Sequence, residues 1–327
     1  MNLSTRKFSQ CWILMVFCAL IFSSASALAE SVNKSLDVSK NSLIEIKHVN
    51  GQAKIVGWDK SQVKVEGELG ERTEEFRFER DGKSVIVEIK VKQSSGWGWG
   101  NKGDSGDDLT IYVPHESQIS YYAPNAELVI EDVYGGSDID MINGELKAKN
   151  LKGRIRLKTV NGDIRGEKLA GDLTVDAVNG DIKIEHTLGQ EVNANTVNGD
   201  IEIESVAMDV RAETVNGNIE FTLGDVTDVK TSTVNGSMEM DMNLVDGGTL
   251  RASSVGGELR FGFQKGVQAK FDIEAHAGGS IINRITNESA NKAKYGPRKW
   301  LEFSTGEPTA RVDLSTVHGR IEVRNRN

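Results

Sequence analysis

Cysteine is nearly missing from this chain. The only two, Cys11 and Cys18, lie in the first 29 residues. Whatever follows has no thiol, so thiol catalysis, cysteine metal sites and disulfide staples are all excluded downstream. Proline is scarce at 4 residues, and aromatic residues make up only 6%. Long apolar runs are missing as well: Cys11–Phe22, at 12 residues, is too short to span a bilayer, and no other stretch approaches 18. No window of 12 residues has helical periodicity; the only candidate, 288–294, is short, polar and closed by Gly296-Pro297.

What is present begins with a leader. Arg6 and Lys7 precede the apolar run, and Ala27 and Ala29 form a small-x-small site, so residues 1–29 read as a secretory signal peptide cleaved after Ala29. Cys18 lacks the small residue expected before a lipidated cysteine, which favours a free periplasmic, secreted or surface protein. Removing Arg6 and Lys7 moves the net charge from −9 to −11 (−9 − 2). An acidic balance of this size argues against nucleic acid or anionic lipid as a partner.

Glycine is abundant, with 34 residues, and it keeps time. Glycines fall at 135, 144, 153, 162, 171, 180 and 189, nine residues apart, and every second one follows an asparagine. TVNGDI (159–164), AVNGDI (177–182), TVNGDI (196–201), TVNGNI (214–219) and TVNGSM (233–238) are close copies. HVNGQA (48–53), SVGGEL (254–259) and TVHGRI (316–321) are looser ones. The repeat is therefore 18–19 residues with a glycine corner at each half. Around each corner apolar and polar residues alternate, as in Asp181-Ile182-Lys183-Ile184-Glu185, which predicts two short strands per repeat, each with one buried face. In the five close copies the residue two before the asparagine is small, Thr159, Ala177, Thr196, Thr214 and Thr233, as a tight inner bend requires.

Two all-β architectures fit. In a β-solenoid each repeat is one coil, and equivalent residues stack about 4.8 Å apart. In an antiparallel β-meander or sandwich each Asn-Gly is a hairpin turn. The solenoid is favoured because it closes its two sheets on each other, whereas a meander needs a second layer that nothing here supplies. Residues 30–327 then form one solenoid domain: less regular coils over 30–134, regular repeats over 135–261, and irregular coils over 262–327.

With HVNGQAKIVGWDKSQVKVEG (48–67), LTIYVPHESQISYYAPNAELVIEDVYGGSDI (109–139) and the serial VNGDI coils, the chain resembles a bacterial family whose members carry the label "putative adhesin". The resemblance covers 32–323 and implies a β-solenoid and an envelope location, with no catalytic residues to carry over. The departure is 262–315, with its polar insertion NESANKAKYGPRKW.

Candidate chemistry is sparse. The five histidines (His48, His115, His186, His276, His318) show no metal-ligand spacing and read as turn or surface residues; HExxH, GxSxG and phosphate-loop motifs are absent. Asp163, Asp181 and Asp200 follow consecutive Asn-Gly pairs and would stack. They are candidate Ca²⁺ ligands; the competing reading gives each a backbone N–H at its turn. Lys183 with Glu202, and Glu239 with Arg260, are expected to pair across coils. The loop SSGWGWGNKGDSGDD (94–108) offers Trp97, Trp99, Asp104, Asp107 and Asp108 as a glycan-binding candidate, whereas Trp58 reads as packing and Trp300 as a cap. The function these features favour is a non-enzymatic envelope protein that needs no cofactor and binds an envelope protein or glycan. The alternatives are a periplasmic stress-response or regulatory partner, and a glycan-processing enzyme at Asp272, Glu274, His276 and Arg284.

Overall fold

The computed structural model describes residues 30–92 and 106–326. It is all-β, without a helix among the described residues, and the strands form two walls that enclose one apolar interior. Through the middle of the chain each strand pairs in parallel with the strand one repeat later. Leu146 aligns with Ile164, Ile164 with Ile182, Ile182 with Ile201, Ile201 with Ile219 and Ile219 with Met238. The opposite wall runs the same way, from Ile139 and Leu157 through Val175, Ala194, Ala212 and Thr231 to Ala252. Parallel pairing rules out the meander. These rows are buried, so a one-residue slip of any strand would turn its core set outward, and register is strongly specified.

The stack does not follow chain order at its ends. Strands Leu43–Lys47 and Asn50–Trp58, which carry HVNGQA, lie between the coil of Gln118–Glu131 and the outer strands Ser84–Val91 and Asp107–Pro114. At the other end Ala310–Asn325, which carries TVHGRI, pairs with Met238–Phe263 on one side. On its other side it pairs with Ala269–Ala275 and Ser280–Asn283. The two outlying copies of the motif are thus coils inserted next to the regular stack.

Antiparallel strands then close both ends. Thr73–Asp81 pairs with Ser84–Val91, Gln62–Leu69 with Asp107–Pro114, and Glu30–Asp37 with Gln62–Leu69. At the far end Lys299–Ser304 covers Ala269–Ala275, and Asn291–Lys292 extends it, so the polar insertion is a capping hairpin that includes Trp300. Phe263 meets Phe271 edge-on at 5.4 Å and Phe303 stacks on Phe271 at 4.4 Å, filling the interior under the cap. The outer strand TEEFRFERD is mostly charged, which discourages a further strand from adding to it.

Candidate functional site

One edge of the stack is built from the VNG corners, and four ladders hold it. Backbone comes first: Asn198 N–H donates to the Val178 carbonyl at 2.9 Å, and Gly180 N–H to the Asn198 carbonyl at 3.0 Å, with equivalent bonds at the neighbouring corners. The asparagine side chains form the second ladder. Nδ2 of Asn143, Asn161, Asn179, Asn198, Asn216 and Asn235 each donates to Oδ1 of the asparagine one coil earlier, at 2.7–2.9 Å. Third, the buried threonines Thr196, Thr214 and Thr233 donate to the carbonyls of Gly180, Gly199 and Gly217 at 3.1–3.3 Å. At these three corners the small residue also supplies a hydroxyl, while Ala177 fills the same position without one.

The fourth ladder occupies the aspartates. Asp163 Oδ1 accepts from Asp181 N–H at 3.0 Å, Asp181 Oδ1 from Asp200 N–H at 2.9 Å, and Asp200 Oδ1 from Asn218 N–H at 2.7 Å. Asn218 and Ser237 continue the same pattern. Each side chain thus caps the next coil rather than its own turn. Among the described residues no group of three or more acidic, histidine or cysteine side chains is placed to hold a metal. Asp181→Asn, which keeps the acceptor, is expected to change stability by less than about 0.5 kcal/mol. Asp181→Ala should lower it by about 1 kcal/mol, read from urea unfolding. Equal losses would mean that charge, and not the acceptor, matters.

Glycine is needed at these corners for closeness. A Cβ on Gly180, Gly199, Gly217 or Gly236 would lie 1.8–2.1 Å from the carbonyl oxygen of the glycine one coil before. Outward of this rigid edge, Val160, Val178, Val197, Val215, Val234 and Val255 stand in one row, each 38–44% exposed. Core-forming alternation does not explain an aliphatic row on the solvent side. The expected cross-coil pairs form, Lys183–Glu202 at 2.7 Å and Arg260–Glu239 at 3.6 Å, but they are exposed and add little stability.

The comparisons bear on this repeat as a whole. The family model described as Toastrack DUF4097 matches residues 39–324. The chain belongs to the Toastrack DUF4097 family. Two solved structures are similar to it at low identity. One, a "putative cell adhesion protein" from Clostridium sporogenes, is 11% identical with a TM-score of 0.23, over 91% of this chain and 100% of that one. The other, a "putative adhesin" from Bacteroides fragilis, is 14% identical with a TM-score of 0.37, over 90% and 97%. A comparison with curated proteins finds no match.

In this Toastrack chain the remaining candidate residues fall in different places. Trp97, Trp99 and Asp104 lie outside the described residues. Asp108 is exposed on the strand that follows them. Asp107 is not a loop carboxylate: it is 1% exposed, and its Oδ1 accepts from Gly70 N–H at 2.8 Å and from the Thr73 hydroxyl at 2.9 Å. Its other oxygen is 3.3 Å from His48 Nε2, and His48 Nδ1 is 2.9 Å from the Tyr121 hydroxyl. His48 thus lies between the Asp107 carboxylate on its Nε2 side and the Tyr121 hydroxyl on its Nδ1 side. Burial works to raise the Asp107 carboxyl, but the contacts with His48, Gly70 and Thr73 outweigh it and hold it below the usual range. Burial, with the Asp107 charge second, pushes the Tyr121 phenol well above its ordinary value.

Two histidines therefore correct the surface reading, His48 and His186. His186 is buried, with Nε2 2.8 Å from the Gly171 carbonyl and Nδ1 2.9 Å from Ser205 Oγ, which itself accepts from Ala207 N–H. The carbonyl can only accept, so Nε2 carries the proton, Nδ1 accepts from Ser205, and the network is complete as a neutral ring. Burial lowers the His186 pKa in the folded state. The unfolded chain then binds this proton more readily, so the ring's contribution is whole above about pH 6.5 and is lost as pH falls below it. Stability should decline over that range in the natural chain, and the slope should flatten in His186→Asn, measured by urea unfolding from pH 7.5 to 5.

Where the enzyme alternative was placed, Glu274 sits 3.4 Å from His276 and pairs with Arg298 at 2.5 Å, while Arg284 pairs with Glu322 instead. Asp272 lies beside Glu302 and Asp313 on neighbouring strands; burial first, then these carboxylates, raise its pKa. Arg284 is thus drawn away from the other three. The valine row and the buried His48–Asp107–Tyr121 group were missed from sequence. The row was legible in principle, because each quoted copy of the motif places valine two residues before the corner glycine.

Proposed function

We propose that this protein is exported, with residues 1–29 as its signal peptide, and that it works without catalysis as an envelope scaffold that binds a protein or a glycan. The observation that carries this reading is the VNG edge. It is a surface laddered by hydrogen bonds from coil to coil, whose outward residues repeat and include an exposed aliphatic row. A surface already fixed by four ladders loses little freedom when a partner docks, which favours binding. Its carboxylates follow the repeat, as shape-forming groups do, whereas an acid/base pair needs two distinct environments.

Pulldown with the tagged mature protein from native envelope extract is expected to recover a specific partner. Recovery should fall when Val178, Val197 and Val215 are changed together to Asn. Absence of any partner from protein and glycan fractions alike would overturn the scaffold reading. A glycan contact through the GWGWG segment is a separate proposal, and undiminished glycan binding after Trp97→Ala and Trp99→Ala would remove it.

A further inference from the structure

The VNG edge has a composition that selects among partners. Val160, Val178, Val197, Val215, Val234 and Val255 form its aliphatic row, which half-buried Ile142 and Val317 continue. At a coil spacing of about 4.8 Å the exposed valines make a strip of a few hundred Å², the size at which an apolar patch on a soluble protein is usually functional. Beside it stands the asparagine ladder. A primary amide has two N–H donors and two acceptor lone pairs. Within the ladder each inner asparagine uses one of each, so one donor and one acceptor face outward at every coil. Past the glycines runs an acidic rim, Glu145, Asp163, Asp181 and Asp200, in which Arg165 pairs with Glu145 and Asp163 while Asp181 and Asp200 form no ion pair among the described residues.

Each feature removes a class of partner. The edge carries no aromatic ring, the usual platform for a sugar face, from Ile142 to Val255. An acidic rim repels nucleic acid and anionic lipid. A second copy of the mature chain would bring a net charge of −11 (−9 − 2) against its like, and the strip alone falls short of the roughly 800 Å² per partner of a stable interface. An extended polypeptide fits what remains. Its backbone offers hydrogen-bond partners to some of the outward amides, since it rises about 3.3 Å per residue against about 4.8 Å per coil. Its aliphatic side chains lie on the valines, and basic side chains reach the rim on flexible stems.

We propose that the VNG edge is the docking surface for an extended segment of another protein rich in aliphatic and basic residues. The proposal rests on the scaffold reading above and names its partner class. The probe is a labelled 16-residue peptide of repeating Val-Val-Lys-Lys, which presents both residue types on each face when extended; Val-Val-Glu-Glu is the comparison. Binding to the mature protein is followed by fluorescence anisotropy at 50 and 300 mM salt.

The basic peptide is expected to bind saturably and more weakly at high salt, and the acidic one not to bind. Val178→Asn, Val197→Asn and Val215→Asn combined should weaken binding at least tenfold. The combination Asp163→Asn, Asp181→Asn and Asp200→Asn should do the same while keeping the ladder acceptors. Unchanged melting temperatures establish that both variants are folded. Undiminished binding to the valine variant would overturn the proposal, since attraction would then be charge alone. Failure of the basic peptide to bind would do so too, as would a natural-chain dimer, seen in sedimentation, that the valine variant dissolves. If these fail while the envelope pulldown still recovers a partner from the valine variant, the scaffold reading stands and only this surface is wrong.

Discussion

Changing Gly199 to alanine should destabilise the protein by about 3–5 kcal/mol, enough to split or unfold the stack. The new Cβ would lie 2.1 Å from the Gly180 carbonyl oxygen and 2.6 Å from its carbon. Neither atom belongs to a flexible side chain. The coils must separate, and separation breaks the bonds that Gly180 and Gly199 N–H make to Asn198 and Asn216. Urea unfolding followed by circular dichroism reads the loss. Gly256 supplies the control, because it stands at the asparagine position of its corner and its added Cβ meets nothing closer than the Val234 oxygen at 4.0 Å. Gly256→Ala should lie within about 0.5 kcal/mol of the natural chain. Gly256→Asn should stabilise by about 1 kcal/mol by extending the ladder beyond Asn235. If Gly199→Ala were as mild as Gly256→Ala, the coils would not be in the close contact that defines this edge.

Removal of the Asp107 carboxylate is the second large effect. Asp107→Ala strips the acceptor from Gly70 N–H and the Thr73 hydroxyl and leaves His48 facing a void. Breaking a buried group of this kind costs about 3–5 kcal/mol. Because His48, Asp107 and Tyr121 belong to three adjacent coils, the loss should appear first at the N-terminal end, as faster amide exchange in 43–58 than in the central repeats. The pH dependence has a definite sign. The folded carboxyl is held below its unfolded value, so its contribution is complete above about pH 3.9 and is lost as pH falls through the folded value. Asp107→Ala should remove that part of the acid sensitivity. Equal exchange in both regions would show that the buried group does not pin the inserted coil.

A good part of this molecule was legible in its residues. A nine-residue glycine clock and alternating isoleucines determine strands, corners and which face is buried, because both periods are local properties of the chain. Cross-coil pairs such as Lys183–Glu202 followed from counting one repeat. The small residue before each corner was also visible, although its hydroxyl bond was not.

Three things were decided only by the tertiary structure. The first is stacking order. Any coil with the right corner can pair in parallel with any other, so HVNGQA and TVHGRI reveal membership of the stack but not that they are inserted out of chain order. Closure by the antiparallel caps settles it. The second is the fate of isolated polar residues: Asp107 reads as loop and His48 as turn until three distant segments meet and bury them. The third is the job of each repeated residue. Asn-Gly alone suggests a chain reversal, yet at Gly180, Gly199, Gly217 and Gly236 glycine is required because a carbonyl of the neighbouring coil occupies the space of a side chain. That contact lies between coils, and a repeat read along the chain holds only the residues, not the distance between them.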